Sequence, residues 1–180
     1  MKGLYCVVLL GCGRQAIHIG DSGLPSDAPD VCAGCEKSCT LEYAPSDSRS
    51  HIEGGVDYPD APPASGDHDP CWGPWGVHRA PLNDENWVHN LEHGGVVFLY
   101  NCPEGCAEDV DALTSFASSL PENTWIVTPY AALPTRFGAV AWNYRATSAC
   151  LDLEAWASFY DYFVDNAPES VTSMPGGSCL

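Results

Sequence analysis

The segment that most limits how this chain can fold is its Pro- and Gly-rich middle, HIEGGVDYPDAPPASGDHDPCWGPWGVHRAPL, from His51 to Leu82. Proline fixes φ and has no backbone donor, and glycine weakens helices and strands. Few backbone groups in this segment can sit in a regular ladder. A long irregular stretch inside a compact domain is usually functional or disordered. Tyr58, Trp72, Trp75 and, just beyond, Trp87 supply large apolar surfaces here, so the segment is expected to be packed rather than disordered. Regular structure must come from the second half of the chain.

That half is well patterned. GGVVFLY is a continuous β-branched and aromatic run ending at Tyr100, expected as a buried strand. AEDVDALTSFASSL places Val110, Leu113, Phe116, Ala117 and Leu120 at helical spacing, with acidic residues in the first turn, where they complement the helix dipole. NTWIVTPY reads as a second strand and FGAVAWNYRA as a third. DLEAWASFYDYFVDNA reads as a second amphipathic helix, with Leu153, Trp156, Phe159, Tyr160 and Phe163 on one face and Asp152 as N-cap. The order predicts an α+β fold: a small mixed sheet of about three to five strands, two helices on one face, and long Pro/Gly-rich loops. No internal repeat is visible, and 180 residues suit one domain.

The N-terminus, MKGLYCVVLLGCGRQ, has a positive start at Lys2, a short apolar run and then Leu9-Leu10-Gly11-Cys12. This resembles the lipobox of bacterial lipoproteins. It implies a signal peptide over residues 1–11, cleavage before Cys12 and a lipid on its sulfur. The apolar run is far short of the roughly 20 residues that span a bilayer. Residues 13–50 then read as a cysteine-containing linker or cap, 51–168 as the domain proper and 169–180 as a tail.

Ten cysteines are present. Setting aside Cys6 and Cys12 leaves Cys32, Cys35, Cys39, Cys71, Cys102, Cys106, Cys150 and Cys179, an even set that in an exported protein predicts disulfides. The turn CPEGC favours Cys102–Cys106. Cys32, Cys35 and Cys39 are three in a cluster, so at least one must pair outside it. A zinc knot at CAGCEKSC is the competing expectation, and export argues against it. Together these features place the protein outside the cytoplasm, as a periplasmic or outer-membrane lipoprotein.

Charge excludes one class of partner. The formal net charge is −17, and the only lysines are Lys2 and Lys37. Such a surface repels phosphate backbones, so no nucleic-acid partner is expected, and anionic lipid is repelled likewise. Metal cations are tolerated. No Gly-rich phosphate loop is present, so no nucleotide cofactor is expected, and no G-x-S-x-G nucleophile is found.

The chemistry-bearing stretch is WVHNLEHGG, with His89, Glu92 and His93. Residues i and i+4 share a face on a helix and on a strand alike, so His89 and His93 point the same way, while Glu92 points elsewhere. Two imidazoles on one face chelate Cu(II), Zn(II) or Ni(II), and one more ligand is needed. The Pro-rich segment offers His51, His68 and His78, of which His68 sits in the stiffest setting. His18 and His51 are expected to be structural. Met174 is the only methionine beyond the signal, so imidazole-bound Cu(II) or Zn(II) fits better than thioether-bound Cu(I). The letters also fit H-x-x-E-H, in which two histidines bind zinc and the glutamate is the base. That motif needs a helix, and the strand-like run that comes directly after it argues against one.

VDYPDAPPASGDH, WGPWGVH, WVHNLEHGGVVFLY, VTPY and VAWNY, in this order, resemble DUF3105, a bacterial domain family of unknown function. The resemblance covers about His51 to Asn166. It maps the family's signature onto Pro62, Pro63, Ser65, Gly66 and His68, and onto His89, Leu91, Glu92, His93 and Gly94. It implies export, with members secreted, lipid-anchored or single-pass, and no established activity. It strengthens His68, His89 and His93 as one site. His78 stands where members often carry Tyr, and the cysteines before His51 look like an elaboration. The expectation is a copper or zinc ion held by His68, His89 and His93, with Glu92 orienting an imidazole or acting as a weaker ligand. The alternatives are a structural or partner-binding envelope lipoprotein in which Glu92 pairs with a histidine, and a small zinc hydrolase with Glu92 as base.

Overall fold

The structure is a computed structural model and describes residues 23–35 and 37–170. The expected signal peptide, Cys12, His18, Met174 and Cys179 lie outside the described residues. Among the described residues the elements are, in chain order, β1 (Cys39–Tyr43), β2 (Gly76–Val77), α1 (Asp84–Glu92), β3 (Val96–Tyr100), α2 (Ala107–Ala117), β4 (Trp125–Pro129), β5 (Phe137–Ala141), β6 (Tyr144–Ser148) and α3 (Leu153–Phe163). They form an α+β fold around one mixed six-stranded sheet of order β1-β6-β5-β3-β4-β2. The β3–β4 and β2–β4 pairs are parallel, and the other pairs are antiparallel.

Strand alternation sorts side chains onto two apolar layers. Val96 and Phe98 of β3, Trp125 and Val127 of β4, and Phe137 and Ala139 of β5 face Leu113 and Ala117 of α2 and Trp156, Phe159 and Phe163 of α3. Val97, Leu99, Ile126 and Val140 face the other way, onto Trp87, Val88 and Leu91 of α1 and Ala64 of the Pro-rich segment. Every one of these residues is buried. The anticipated helices, α2 and α3, do share one face. The Asp152 carboxylate caps α3, accepting from Glu154 N and Ala155 N at 3.1 Å each.

The sheet is larger and the helices more numerous than the sequence patterns predict. FGAVAWNYRA is a hairpin, not a strand. It turns at Trp142-Asn143, where Asn143 adopts φ +67°, and Ala141 pairs with Tyr144. Asn tolerates this left-handed conformation better than most residues. Cys39–Tyr43, within the segment read as linker or cap, is the edge strand β1 paired to β6. The third helix, α1, covers the second face of the sheet and carries most of the HNLEH stretch.

The disulfides staple this arrangement. Cys32 pairs with Cys39, Cys35 with Cys150, and Cys102 with Cys106, while Cys71 is also disulfide-bonded. The first two overturn the zinc-knot expectation, because thiolates joined to each other cannot ligate a metal. They also satisfy the requirement that one member of the cluster pair outside it. Such bonds persist in oxidising compartments, which places the protein in an exported environment. Among the described residues, no helix is long and apolar enough to cross a membrane.

Candidate metal centre

The site is built where the Pro-rich segment crosses the last turn of α1. Asn83 opens this helix, Asp84 and Glu85 lie in its first turn, and Trp87, Val88 and Leu91 anchor it to the sheet. His89 and Glu92 lie in its final turn and His93 is its C-cap, with the His93 N–H bonded to His89 O. Gly94 comes next at φ +88°, the left-handed exit that glycine permits. At Gly95 a Cβ would lie 2.9 Å from Asn90 O and 2.6 Å from the Trp75 ring, so glycine lets the chain turn straight from α1 into β3.

His68 is positioned from three sides. Its segment forms a parallel bridge with His51, through Ile52 N to His68 O at 2.8 Å and His68 N to Ser50 O at 3.0 Å. The β5–β6 turn holds the preceding residues, since Asn143 N donates to Ala64 O at 2.7 Å. Trp142 meets the His68 ring edge-on at 6.2 Å. His68 is fully buried.

Three imidazoles share one bonding pattern. His68 Nδ1 lies 2.8 Å from Gly66 O, His89 Nδ1 lies 2.8 Å from Asp69 O, and His93 Nδ1 lies 3.1 Å from Glu169 O. A carbonyl oxygen only accepts, so each Nδ1 is the donor and carries the proton. In the neutral ring, Nε2 is then a bare lone pair. Those lone pairs meet. His89 Nε2 and His93 Nε2 are 3.1 Å apart. His68 Nε2 is 3.0 Å from Glu92 Oε2, but the two are not aligned as a hydrogen bond, and His68 Nε2 is buried without a hydrogen-bonding partner. Nitrogen and carboxylate lone pairs repel at these distances unless a cation lies among them.

Glu92 is the hinge of the cluster. It is 2 % exposed. Its Oε1 accepts from Arg49 Nη1 at 2.8 Å, and Arg49 also reaches Glu169 at 3.1 Å. Its Oε2 faces His68 and, at 3.9 Å, His51 Nε2. One ligand atom from each of His51, His68, His89 and Glu92 lies within 4.8 Å of every other, and Glu92, His93 and Glu169 form a second such group. Trp72 closes the side, stacked on His93 at 4.1 Å and 5.1 Å from His89. Burial pushes the His89 imidazole pKa down to about 4 and lowers that of His93. Both rings are therefore neutral, the form a metal requires, at ordinary pH.

The structure brings together His68 and His89 with Glu92, and places His93 against His89 rather than in the tightest group. Glu92 turns toward these rings and not away, because the last turn of α1 faces a segment folded back over it. His51, expected to be structural, is part of the cluster. Its signal in the sequence is only its position at the start of the Pro-rich segment. His78 is apart: it is half-buried, with Nε2 2.7 Å from Pro74 O.

An α+β domain with a buried histidine–carboxylate cluster is thus the class that fold and site define. Residues 51–176 match the family described as protein of unknown function (DUF3105), well over half of the chain, and the protein belongs to that family. No curated protein and no solved structure matches it.

Proposed function

We propose that this domain binds a copper or zinc ion outside the cytoplasm, through His68, His89 and Glu92, with His51 and His93 completing the shell. The observation that carries the reading is the set of three imidazoles whose Nδ1 atoms are committed to carbonyls, with His68 and His89 converging on Glu92 and the bare His93 Nε2 meeting that of His89. Metal-ligating histidines ordinarily donate their other ring nitrogen in this way, fixing tautomer and orientation. The 3.1 Å between His89 Nε2 and His93 Nε2 suits two ligands of one ion, since Zn–N bonds of about 2.0–2.1 Å put cis nitrogens roughly 3 Å apart. The disulfides support export, and the lipobox-like Leu9-Leu10-Gly11-Cys12 supports a lipid anchor on Cys12.

A purely structural role explains the Nδ1 bonds and the Arg49–Glu92 pair but not two bare Nε2 atoms held face to face. A hydrolase would use H-x-x-E-H on a helix, which α1 supplies. It would also need a free carboxylate beside an open coordination position, and Glu92 is buried with one oxygen already on Arg49.

The test is elemental mass spectrometry of untagged protein purified from the cell envelope, beside a His89→Ala/His93→Ala variant and a His68→Ala variant. Stoichiometric copper or zinc in the wild type, lost in both variants, is the expected result. Equal metal in all three proteins, or none after exposure to copper and zinc, would overturn the reading.

A further inference from the structure

The Cys102–Cys106 disulfide lies at the opposite end of β3 from the histidine cluster, roughly 17 Å away along a five-residue strand. It occupies the turn between β3 and α2. Its sequence separation is 4, against 115 for Cys35–Cys150. A bond closing so short a loop restricts the unfolded chain far less than one closing a long loop. As a staple it has the least to do of the described pairs.

Its surroundings are those of a reactive pair. The intervening Pro103, Glu104 and Gly105 are all exposed, and both cysteines are only half-buried. Gly105 takes φ +88° and its N–H bonds Cys102 O at 3.0 Å, a tight exposed turn above two cysteines that pack partly buried against the core. Cys106 is the N-cap of the eleven-residue α2, with no side-chain cap bond, and Val110 N donates to Cys106 O at 2.9 Å. A thiolate released at Cys106 would face unsatisfied N–H groups of the first turn, which stabilise it. Glu104, Glu108 and Asp109 oppose this, but Arg136 pairs with Asp109 at 2.8 Å. β3 and β4 are parallel and α2 connects them. A cysteine pair at the first turn of such a β-α-β unit is the setting of thioredoxin-like redox motifs, here with three intervening residues instead of two.

The geometry points to Cys102–Cys106 as an exchangeable disulfide that takes two electrons from an exposed dithiol of another protein. A thiolate of that dithiol attacks Cys102 Sγ. The Cys102–Cys106 bond breaks and Cys106 leaves as the stabilised thiolate, giving a mixed disulfide with Cys102. The partner's second thiolate then attacks its own bridged sulfur, forming the partner's disulfide and releasing Cys102. Two electrons and two protons pass from the dithiol to Cys102 and Cys106, so nothing else is consumed. Exposed disulfides with labile bonds serve such roles, whereas structural ones resist the glutathione pool.

The test equilibrates the full chain in glutathione buffers of graded reduced-to-oxidised ratio, with acid quench, alkylation and mass spectrometry of each cysteine peptide. Cys102 and Cys106 should become alkylated together at a ratio at least tenfold less reducing than Cys35 and Cys150 require. Opening of all pairs at one ratio, or of Cys102–Cys106 last, would overturn the proposal. A second measurement compares single thiols at pH 7. Cys106 in a Cys102→Ser variant should react with a disulfide reagent at least tenfold faster than Cys102 in a Cys106→Ser variant. Equal rates would count against Cys106 as the leaving thiolate and so against the mechanism.

Discussion

His89 Nε2 sits 3.1 Å from His93 Nε2, and each ring donates its Nδ1 proton to a backbone carbonyl. The bonds that fix the two tautomers leave the two acceptor atoms facing each other, an arrangement that a shared cation would relieve. In wild-type protein a competition titration against a chromogenic chelator should show tight binding of Cu(II) or Zn(II). His89→Ala should weaken it by more than the 10–100-fold typical of losing an orienting neighbour of a ligand. His78→Ala should leave it unchanged, because His78 bonds Pro74 O outside the cluster.

Burial of His89 makes the metal-free protein acid-sensitive. Its pKa is about 4 in the fold and about 6.5 when unfolded. Between those values the unfolded chain binds the proton and the folded one does not. The stabilisation is complete above pH 6.5 and is lost as pH falls toward 4. His93 shifts in the same direction and adds to the effect. Urea midpoints of metal-free protein should fall between pH 7 and pH 4.5. The loss in unfolding free energy should be on the order of 1–2 kcal/mol once solvent screening is allowed for. His89→Gln should flatten that dependence. An unchanged slope in the variant would mean that other groups set it.

Much of the fold was legible because periodicity is a local signal. The β3 run, the α2 and α3 faces and the Asp152 cap could all be read from neighbouring residues. The failures share one physical cause, which is that the deciding partners are distant in sequence. α1 buries Trp87, Val88 and Leu91 under a segment that no periodicity describes. β1 exists because β6 offers it an edge, with Thr40 Oγ1 3.1 Å from Thr147 Oγ1. The hairpin hid inside a mostly apolar run because Trp142-Asn143 lacks the glycine that usually marks such a turn. At the site, His68, His89 and His93 stood out by residue type and spacing. His51 did not, because its place is set by a two-bond backbone bridge to His68.

The turn between α1 and β3 couples fold to site. A Cβ at Gly95 would meet Asn90 O at 2.9 Å and Trp75 at 2.6 Å. Backbone cannot yield as a side-chain tip can, so Gly95→Ala should push α1 from the sheet. The expected cost is about 1–3 kcal/mol by chemical denaturation, together with weaker metal binding, since His89 and Glu92 ride on the same helix. Loss of stability with metal affinity intact would show that the last turn of α1 is held independently of Gly95.

The central strand sets the scale for a loss confined to the core. Phe98 is fully buried in β3 and meets the Phe116 ring edge-on at 5.6 Å. Phe98→Ala should cost about 3–5 kcal/mol. Val97 and Leu99 alternate with it onto the α1 face, so the cavity opens on the side away from the histidines. Metal affinity measured well below the new melting temperature should therefore stay within about threefold of wild type, a change worth less than about 1 kcal/mol. A larger loss would mean that the two layers are mechanically linked through β3.

The disulfides should rank by the chain they close. Cys35–Cys150 spans 115 residues and ties the N-terminal segment to the start of α3, while Cys102–Cys106 spans 4. The chain-entropy relation assigns the first roughly 4–5 kcal/mol and the second about 2 kcal/mol. Cys35 is also buried, so its removal leaves a small void as well. Cys35→Ala/Cys150→Ala should lower the unfolding midpoint far more than Cys102→Ala/Cys106→Ala, measured with the other pairs oxidised. If the short-loop variant proved the less stable, Cys102–Cys106 would be holding the β3–α2 turn together, and its surroundings would have to be read as structural rather than reactive.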